Sequence, residues 1–189
     1  MSSVRKRLKP RLLVVYAMAL GLIWLAEPTP QTVLVGCMAI ALGEGLRLWA
    51  TGHLLKTDDL TTSGPYSYLR HPLYLGTLLI ATGFAWMAAS LAALWLLGAF
   101  LLGYFGYYMP YKDRIEGARL EALYGDAFRR YAVAVPRLIP RLYAYVPLAA
   151  DRGESMSWNR TRFSDNHEVG TALAVSLGVV ALLARWAVS

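Results

Sequence analysis

Charged residues are absent from three long tracts of this 189-residue chain: Leu12 to Ala26, Leu73 to Tyr111 and Val169 to Ala184. The middle tract is too long for one crossing of a bilayer. As a single helix over Leu73–Met109 it would run roughly 55 Å, nearly twice the ~30 Å hydrocarbon core. The pattern therefore predicts two spans there, broken near Trp86–Leu91, where "WMAASL" offers small residues for a tight turn. Five spans result, about 11–26, 32–52, 73–88, 91–109 and 168–186. Several are short against the ~20 residues of a perpendicular crossing. Tyr16, Trp24, Trp49, Trp86, Trp95 and Trp186 fall where aromatic anchors sit at the membrane interface. The fold class is all-α, a polytopic membrane helical bundle formed by one domain over 1–189.

A different period follows. In Tyr111–Pro140, Ile115, Leu120, Leu123, Phe128 and Tyr131 form an apolar stripe of helical spacing, interrupted near Gly125. Arg114, Arg119, Arg129 and Arg130 supply the polar side. That is the pattern of a helix lying on or under a membrane face. "VPRLIP" then ends it with two prolines and sets the chain extended.

Composition agrees with a membrane protein. Apolar residues make up 57% and charged residues 16%, below the ~25% of soluble domains. The first apolar tract resembles a secretory signal, but "AEPTPQ" and a second span follow at once, so it is expected to be retained. The net charge of +7 is mainly a topology signal. Arg5, Lys6, Arg7, Lys9 and Arg11 precede the first span, the loop after it has no lysine or arginine, 53–72 has Lys56 and Arg70, and 110–167 has ten. The positive-inside rule puts the N-terminus and both polar segments in the cytoplasm. Basic residues that adjoin spans argue for lipid headgroups as partners and against nucleic acid. The lone Cys37 forms no intramolecular disulfide, and His53, His71 and His167 are too scattered for a metal site. The sequon at Asn159 should be inert on a cytoplasmic segment.

Polar residues at membrane depth narrow the chemistry. Glu44 and Arg47, three apart, share a helix face. They form either an intrahelical pair or a polar wall of a pocket. "TTSGPYSYLRHPLYLG" (Thr61–Gly76) is denser still. Gly64 and Pro65 mark a turn. Pro72 biases His71 to an extended backbone and suits the first turn of the next helix. Arg70 and His71 thus stand at a helix N-terminus at the mouth of the bundle. They suit either a carboxylate site, aided by backbone N–H groups and the helix dipole, or a basic anchor at headgroup level. Gly76, one turn in, admits close approach of another chain or a ligand. Glu116 lies at the apolar edge of the amphipathic helix, where a solvated glutamate is the plain alternative.

"GPYSYLRHPLYLG", followed some forty residues later by "E…L…YG..F..Y…VPRLIP", resembles the isoprenylcysteine carboxyl methyltransferase family and the related membrane phospholipid N-methyltransferases. The resemblance covers Leu42–Pro140, beginning at "LGEGLRLWATGHL", and continues through "SWNRTRFSDNHEVGTALAVSLG". It implies S-adenosylmethionine as methyl donor, bound at the cytosolic helix ends, and a lipophilic acceptor taken from the bilayer. Gly64, Pro65, Tyr66, Arg70, His71, Pro72, Tyr74 and Gly76 fall on its motif, with Arg70 and Glu116 as catalytic candidates and Glu116 also facing the donor. Tyr131, Asn166 and Glu168 complete the implied donor site. Asp165 and Glu168 equally fit a D-x-x-E helix-capping box. Two positions depart from the family pattern: Gly117 stands where a second glutamate is usual, and Phe128 where a tyrosine is usual.

The chemistry suits these residues. The donor carries a carboxylate, an ammonium and a sulfonium, which call for a cation, a carboxylate and aromatic walls. Methyl transfer is an in-line displacement, so positioning dominates. A carboxylate acceptor needs no general base, whereas an amine acceptor must first lose a proton. Two other classes compete. One is a sterol-reductase-like oxidoreductase, although no G-x-G-x-x-G loop is present. The other is a non-catalytic membrane protein, suggested by Gly117 and Phe128.

Overall fold

The computed structural model describes residues 19–54, 60–149, 157–166 and 168–188. It is all-helical, with no strand among the described residues. The elements are α1 (Pro30–His53), a 3-10 turn (Gly64–Ser67), α2 (Pro72–Ala88), α3 (Leu91–Gly103), a π-helical segment (Tyr104–Tyr108), α4 (Met109–Ala134), α5 (Arg160–Asp165) and α6 (Glu168–Ala187). Of the expected first span only residues 19–26 are described; 19–24 are helical and Leu25 is a turn. Tyr16, the N-terminal basic cluster, Lys56, His167 and the Asp165 side chain lie outside the described residues.

Three helices are long and apolar enough to cross a membrane: Pro30–His53, Leu91–Ala134 and Glu168–Ala187. The apolar α2 is shorter, at 17 residues. The expected break falls where the small residues stand, with Ala89 in the left-handed region (φ 50) and the Ser90 side chain accepting from the Ala93 amide to start α3. The sequence reading divided 91–109 from the amphipathic helix that follows. They form instead one 44-residue rod. The π turn explains the continuity. Pro110 has no N–H, and its ring would clash with a tight preceding turn. The wider turn at Tyr104–Tyr108 makes room for it. The rod is interrupted at Gly125 (φ 49, ψ −121), as the apolar stripe suggested.

Close packing of α1 on α2 sets the frame. A Cβ on Gly43 would lie 2.7 Å from the Gly76 carbonyl oxygen, and one on Gly76 would lie 2.8 Å from that of Gly43. Gly36 and Gly83 repeat the contact one heptad away, so the two helices run antiparallel at backbone distance. Small residues are what permits such contact between helices in lipid. Below the crossing, Val33, Ile40, Ala85, Met87, Ala88, Ala93 and Leu182 form the apolar core. Outward-facing side chains such as Leu102 (78% exposed), Trp95 (74%) and Leu177 (70%) form an apolar surface suited to lipid.

At the other end of the crossing the chain folds back on itself. Gly64 (φ 57) lies under the His53 ring, where a Cβ would come within 2.5 Å of ring carbon, so glycine is required by space as well as by φ. A strap over Pro136–Tyr145 then runs beside residues 67–71. Its four backbone bonds are Arg70 N to Pro136 O (2.8 Å), His71 N to Arg137 O (3.0 Å), Arg141 N to Tyr68 O (3.0 Å) and Tyr145 N to Ser67 O (2.9 Å). Phe128, Tyr131 and Val135 form a second small core beneath it.

Candidate active site

A cavity of about 320 Å³ opens between the N-terminus of α2, the loop before it and α4. Tyr66, Arg70, His71, Pro72 and Tyr74 line one wall, and Asp113, Glu116, Gly117, Leu120, Phe128 and Tyr131 line the other. Asp113, Glu116, Gly117 and Leu120 reach it together because positions i, i+3, i+4 and i+7 share one helix face.

Asp113 is the junction of the site. Its Oδ1 lies 2.8 Å from His71 Nε2, and its Oδ2 accepts from Arg137 Nη2 at 3.0 Å. Arg70 Nη1 stands 3.9 Å away. The His71 ring stacks on Tyr74 (centroids 5.0 Å apart, 15° between planes). The Tyr74 hydroxyl in turn donates to Glu116 Oε1 at 2.9 Å. Thus an Asp113–His71–Tyr74–Glu116 chain spans the cavity from a structural ion cluster to a half-exposed carboxylate. Lys112 Nζ, 3.8 Å from Glu116 Oε1, makes a looser exposed pair.

Two arginines line the cavity, Arg70 and the exposed Arg119; Arg70 is the more enclosed. Its Nε is buried and has no hydrogen-bond partner. Burial lowers its affinity for a proton, and Asp113 offsets this, so the guanidinium remains charged. Backbone N–H groups contribute less than the sequence suggested, because the amides of Arg70 and His71 are taken by strap carbonyls. An anion here would meet the side chains of Arg70 and Arg119 rather than these amides. Tyr131 donates its hydroxyl to the Tyr66 carbonyl at 2.8 Å, so it presents its ring to the cavity and fixes the loop. Burial pushes the phenols of Tyr66 and Tyr131 up, which keeps both neutral.

A second cavity, about 580 Å³, lies between α2 and the end of α3 with the π-helical segment, and Arg47 of α1 reaches it. Arg47, Leu73, Tyr74, Thr77, Phe100, Tyr104 and Tyr108 line it. Leu73 and Tyr74 line both cavities, so the two adjoin at these side chains. Tyr104 donates to the Tyr74 carbonyl at 2.9 Å. Arg47 does not pair with Glu44. Its Nε donates to Glu168 Oε1 at 2.6 Å, and its Nη1 donates to Thr77 Oγ1 at 2.7 Å and to the Leu73 carbonyl at 3.3 Å. A buried partner from α6 wins over an intrahelical one because it satisfies both charges away from water. Both Glu44 carboxylate oxygens are buried without a hydrogen-bond partner.

The structure gathers Tyr66, Arg70, His71, Pro72, Tyr74, Glu116 and Tyr131 at the first cavity. Other candidates stand elsewhere. Gly76 packs on Gly43 and the Arg47 stem, so its approaching chain is a helix. Gly64 and Pro65 shape the 3-10 turn. Glu168 holds Arg47, and the Asn166 amide donates to the carbonyls of Thr51 and Leu54, tying α6 to α1. Asp113 was not among the sequence candidates. The one signal for Asp113 was its position three residues before Glu116. Among the described residues no group of three or more His, Cys, Asp and Glu side chains is placed to hold a metal ion.

The described residues thus form an all-helical bundle suited to a membrane, with an ion-lined cavity at the start of α2 and a second cavity beside it. The chain belongs to the phospholipid methyltransferase family, whose model matches residues 30–127, just over half of the sequence. It is similar to the cobalt-zinc-cadmium resistance protein CzcN of Cupriavidus metallidurans, 36% identical over 130 residues, which are 67% of this chain and 55% of that protein. It is also similar to the nickel-cobalt-cadmium resistance protein NccN of Alcaligenes xylosoxydans xylosoxydans, 27% identical over 154 residues, which are 80% of this chain and 70% of that protein. The chain thus spans little more than half the length of the first relative. No solved structure matches it significantly.

Proposed function

We propose that this protein transfers a methyl group from S-adenosylmethionine to a lipid or isoprenoid acceptor that enters from the bilayer. The observation that carries the reading is that two cavities adjoin at Tyr74, one lined by Arg70, His71, Asp113 and Glu116 and the other lined mainly by apolar and aromatic side chains of the apolar helices.

The residues of the first cavity fit the donor. Arg70, with its buried and unpartnered Nε, faces a carboxylate. Glu116, on the opposite wall, faces an ammonium. The rings of Tyr66, Phe128 and Tyr131 provide apolar and aromatic surface for the adenosine part. When bound, the donor supplies an electrophilic methyl group on a cationic sulfur. The chain's share is orientation: His71 is locked between Asp113 and Tyr74, and Tyr74 stands where the two cavities adjoin. As the methyl carbon bonds to the acceptor oxygen or nitrogen, the carbon–sulfur electron pair stays on sulfur. A carboxylate acceptor gives up no proton. An amine acceptor gives one up first, and Glu116, directly or through the Tyr74 hydroxyl, is the base in reach.

In this reading the site lies on the cytoplasmic side, which the distribution of lysine and arginine supports. A link to the metal resistance named for the two relatives would operate at the membrane surface, since methylating a headgroup or a prenyl carboxyl changes the charge it offers to cations. Incubation with methyl-labelled donor and a lipid extract tests the reading. Label should enter the lipid fraction with the wild-type protein and fall at least tenfold with His71→Ala. Equal label with both proteins would reject it.

A further inference from the structure

Among its described lining residues the second cavity has one charged side chain, Arg47, and no aspartate or glutamate. The Arg47 guanidinium is held in place. Its Nε donates to Glu168, and its Nη1 donates to Thr77 and to the Leu73 carbonyl. Glu168 and the neighbouring Glu44 line neither cavity. No hydrogen bond uses Nη2, and that atom is not enclosed by the protein. A guanidinium carries five N–H donors, so the pair with Glu168 leaves one edge open toward the cavity. The other polar groups of the wall are largely spent. Thr77 donates to the Leu73 carbonyl, Tyr104 to the Tyr74 carbonyl, and Tyr74 to Glu116. Arg47 Nη2 and the Tyr108 hydroxyl remain, and both are donors.

We propose that Arg47 grips the methyl acceptor through Nη2 and that the acceptor group is a lipid carboxylate; this deepens the methyl-transfer reading and rests on it. Position supports the assignment. Arg47 holds the Leu73 carbonyl, and Leu73 and Tyr74 line both cavities, so an anion on Nη2 lies beside the junction that the methyl group crosses. The planar edge of a guanidinium also matches a carboxylate. An amine acceptor is served less well. The second cavity has no carboxylate to meet an ammonium, and the two acids of the first are committed. Asp113 holds His71 and Arg137, and Glu116 faces the ammonium of the donor. No carboxylate is left to take a proton from an amine. With a carboxylate none is needed. Its oxygen bonds to the methyl carbon, the carbon–sulfur bond breaks with its electron pair staying on sulfur, and no proton moves. The ester formed has lost the charge that Arg47 held. The contact that seats the acid therefore releases the product.

The test uses the purified full chain with methyl-labelled S-adenosylmethionine and a total membrane lipid extract. The labelled lipid is treated with mild alkali, which frees volatile methanol from a methyl ester but not from a methylated amine. Expected is release of nearly all lipid label as methanol. Label that stays through alkali would overturn this inference and leave the methyl-transfer reading standing, whereas no label in lipid would overturn both. Titration with the lipid extract then assigns Arg47. Arg47→Gln combined with Glu168→Gln removes both charges of the pair and orphans neither. It should raise the half-saturating amount of lipid at least tenfold, with S-adenosylhomocysteine affinity by calorimetry held within twofold. Arg47→Lys keeps the charge but loses the open edge, and should raise the half-saturating amount severalfold. Half-saturation as in wild type for both variants would overturn the role of Arg47. So would loss of S-adenosylhomocysteine affinity in the folded double variant, which would assign the pair to the donor.

Discussion

Asp113 holds together groups that lie far apart in the chain. Its carboxylate meets His71 from forty-two residues away and Arg137 from the strap. Asp113→Asn keeps the shape but loses the charge, and charged hydrogen bonds are worth roughly 1.5–3 kcal/mol. The substitution should weaken S-adenosylhomocysteine binding at least tenfold by calorimetry, and Asp113→Ala should weaken it further. Unchanged affinity in both would remove Asp113 from the site. Arg70→Lys should lose activity although the charge is kept, because an ammonium cannot offer the Nε edge of a planar guanidinium. Methyl transfer at wild-type rate in this variant would reduce Arg70 to a surface anchor. Gly117 marks a departure that the structure makes interpretable. A Cβ there would meet only Phe128, at 4.0 Å, so Gly117→Glu fits without strain and should leave the unfolding temperature within a few degrees of wild type. Arg70, His71, Tyr74 and Glu116 were legible in the sequence because turn chemistry and a family motif mark them. Asp113 was not, because a charge on an amphipathic helix reads as solvated until its partners across the fold are known. For Glu168 the motif was visible but not the use, since its partner Arg47 lies 121 residues away.

At the scale of elements, the α1–α2 crossing positions everything above it. Gly76→Val would drive a branched side chain into the Gly43 carbonyl and the Arg47 stem. Overpacking of this kind costs about 1–3 kcal/mol, so the thermal unfolding midpoint should fall clearly. The same substitution at Gly98, which has nothing within 4 Å, should change it little. Equal midpoints would contradict the crossing. The loop before α2 is fastened to α4 by the Tyr131 hydroxyl. Burial raises the pKa of Tyr131 and Tyr66 above the unfolded value of about 10. The folded form therefore holds these protons more tightly, and the stabilisation is complete below about pH 10 and lost as pH rises through the folded values. Wild-type stability should drop in strong alkali, and Tyr131→Phe, weaker at neutral pH by about 1 kcal/mol, should drop less steeply. The break at Ala89–Ser90 and the interruption at Gly125 were legible because small residues and glycine act locally. The continuity of α3 into α4 was not, because a proline in the sequence signals an end unless the preceding turn widens, and that widening leaves no residue-level mark.

Taken as a whole molecule, the protein offers two cavities that meet in one place. The ion-lined cavity lies at the start of α2, the second cavity lies between α2 and α3, and Tyr74 lines both. Uncharged tracts and their lengths made the helical membrane architecture legible from the sequence. The second cavity was not legible, because it depends on how far α3 stands from α2, which is set by packing rather than by pattern. The central claim is that the end cavity binds the methyl donor. The most direct test is calorimetric titration of the purified protein with S-adenosylhomocysteine, with the reduced nicotinamide dinucleotide as comparison. Expected is saturable binding of S-adenosylhomocysteine alone, weakened at least tenfold by Arg70→Ala and by Glu116→Gln, and unchanged by Arg129→Ala, whose guanidinium pairs with Glu121 and Asp126 on the exposed face. Binding of the dinucleotide instead, or S-adenosylhomocysteine binding indifferent to Arg70 and Glu116 in folded protein, would contradict it.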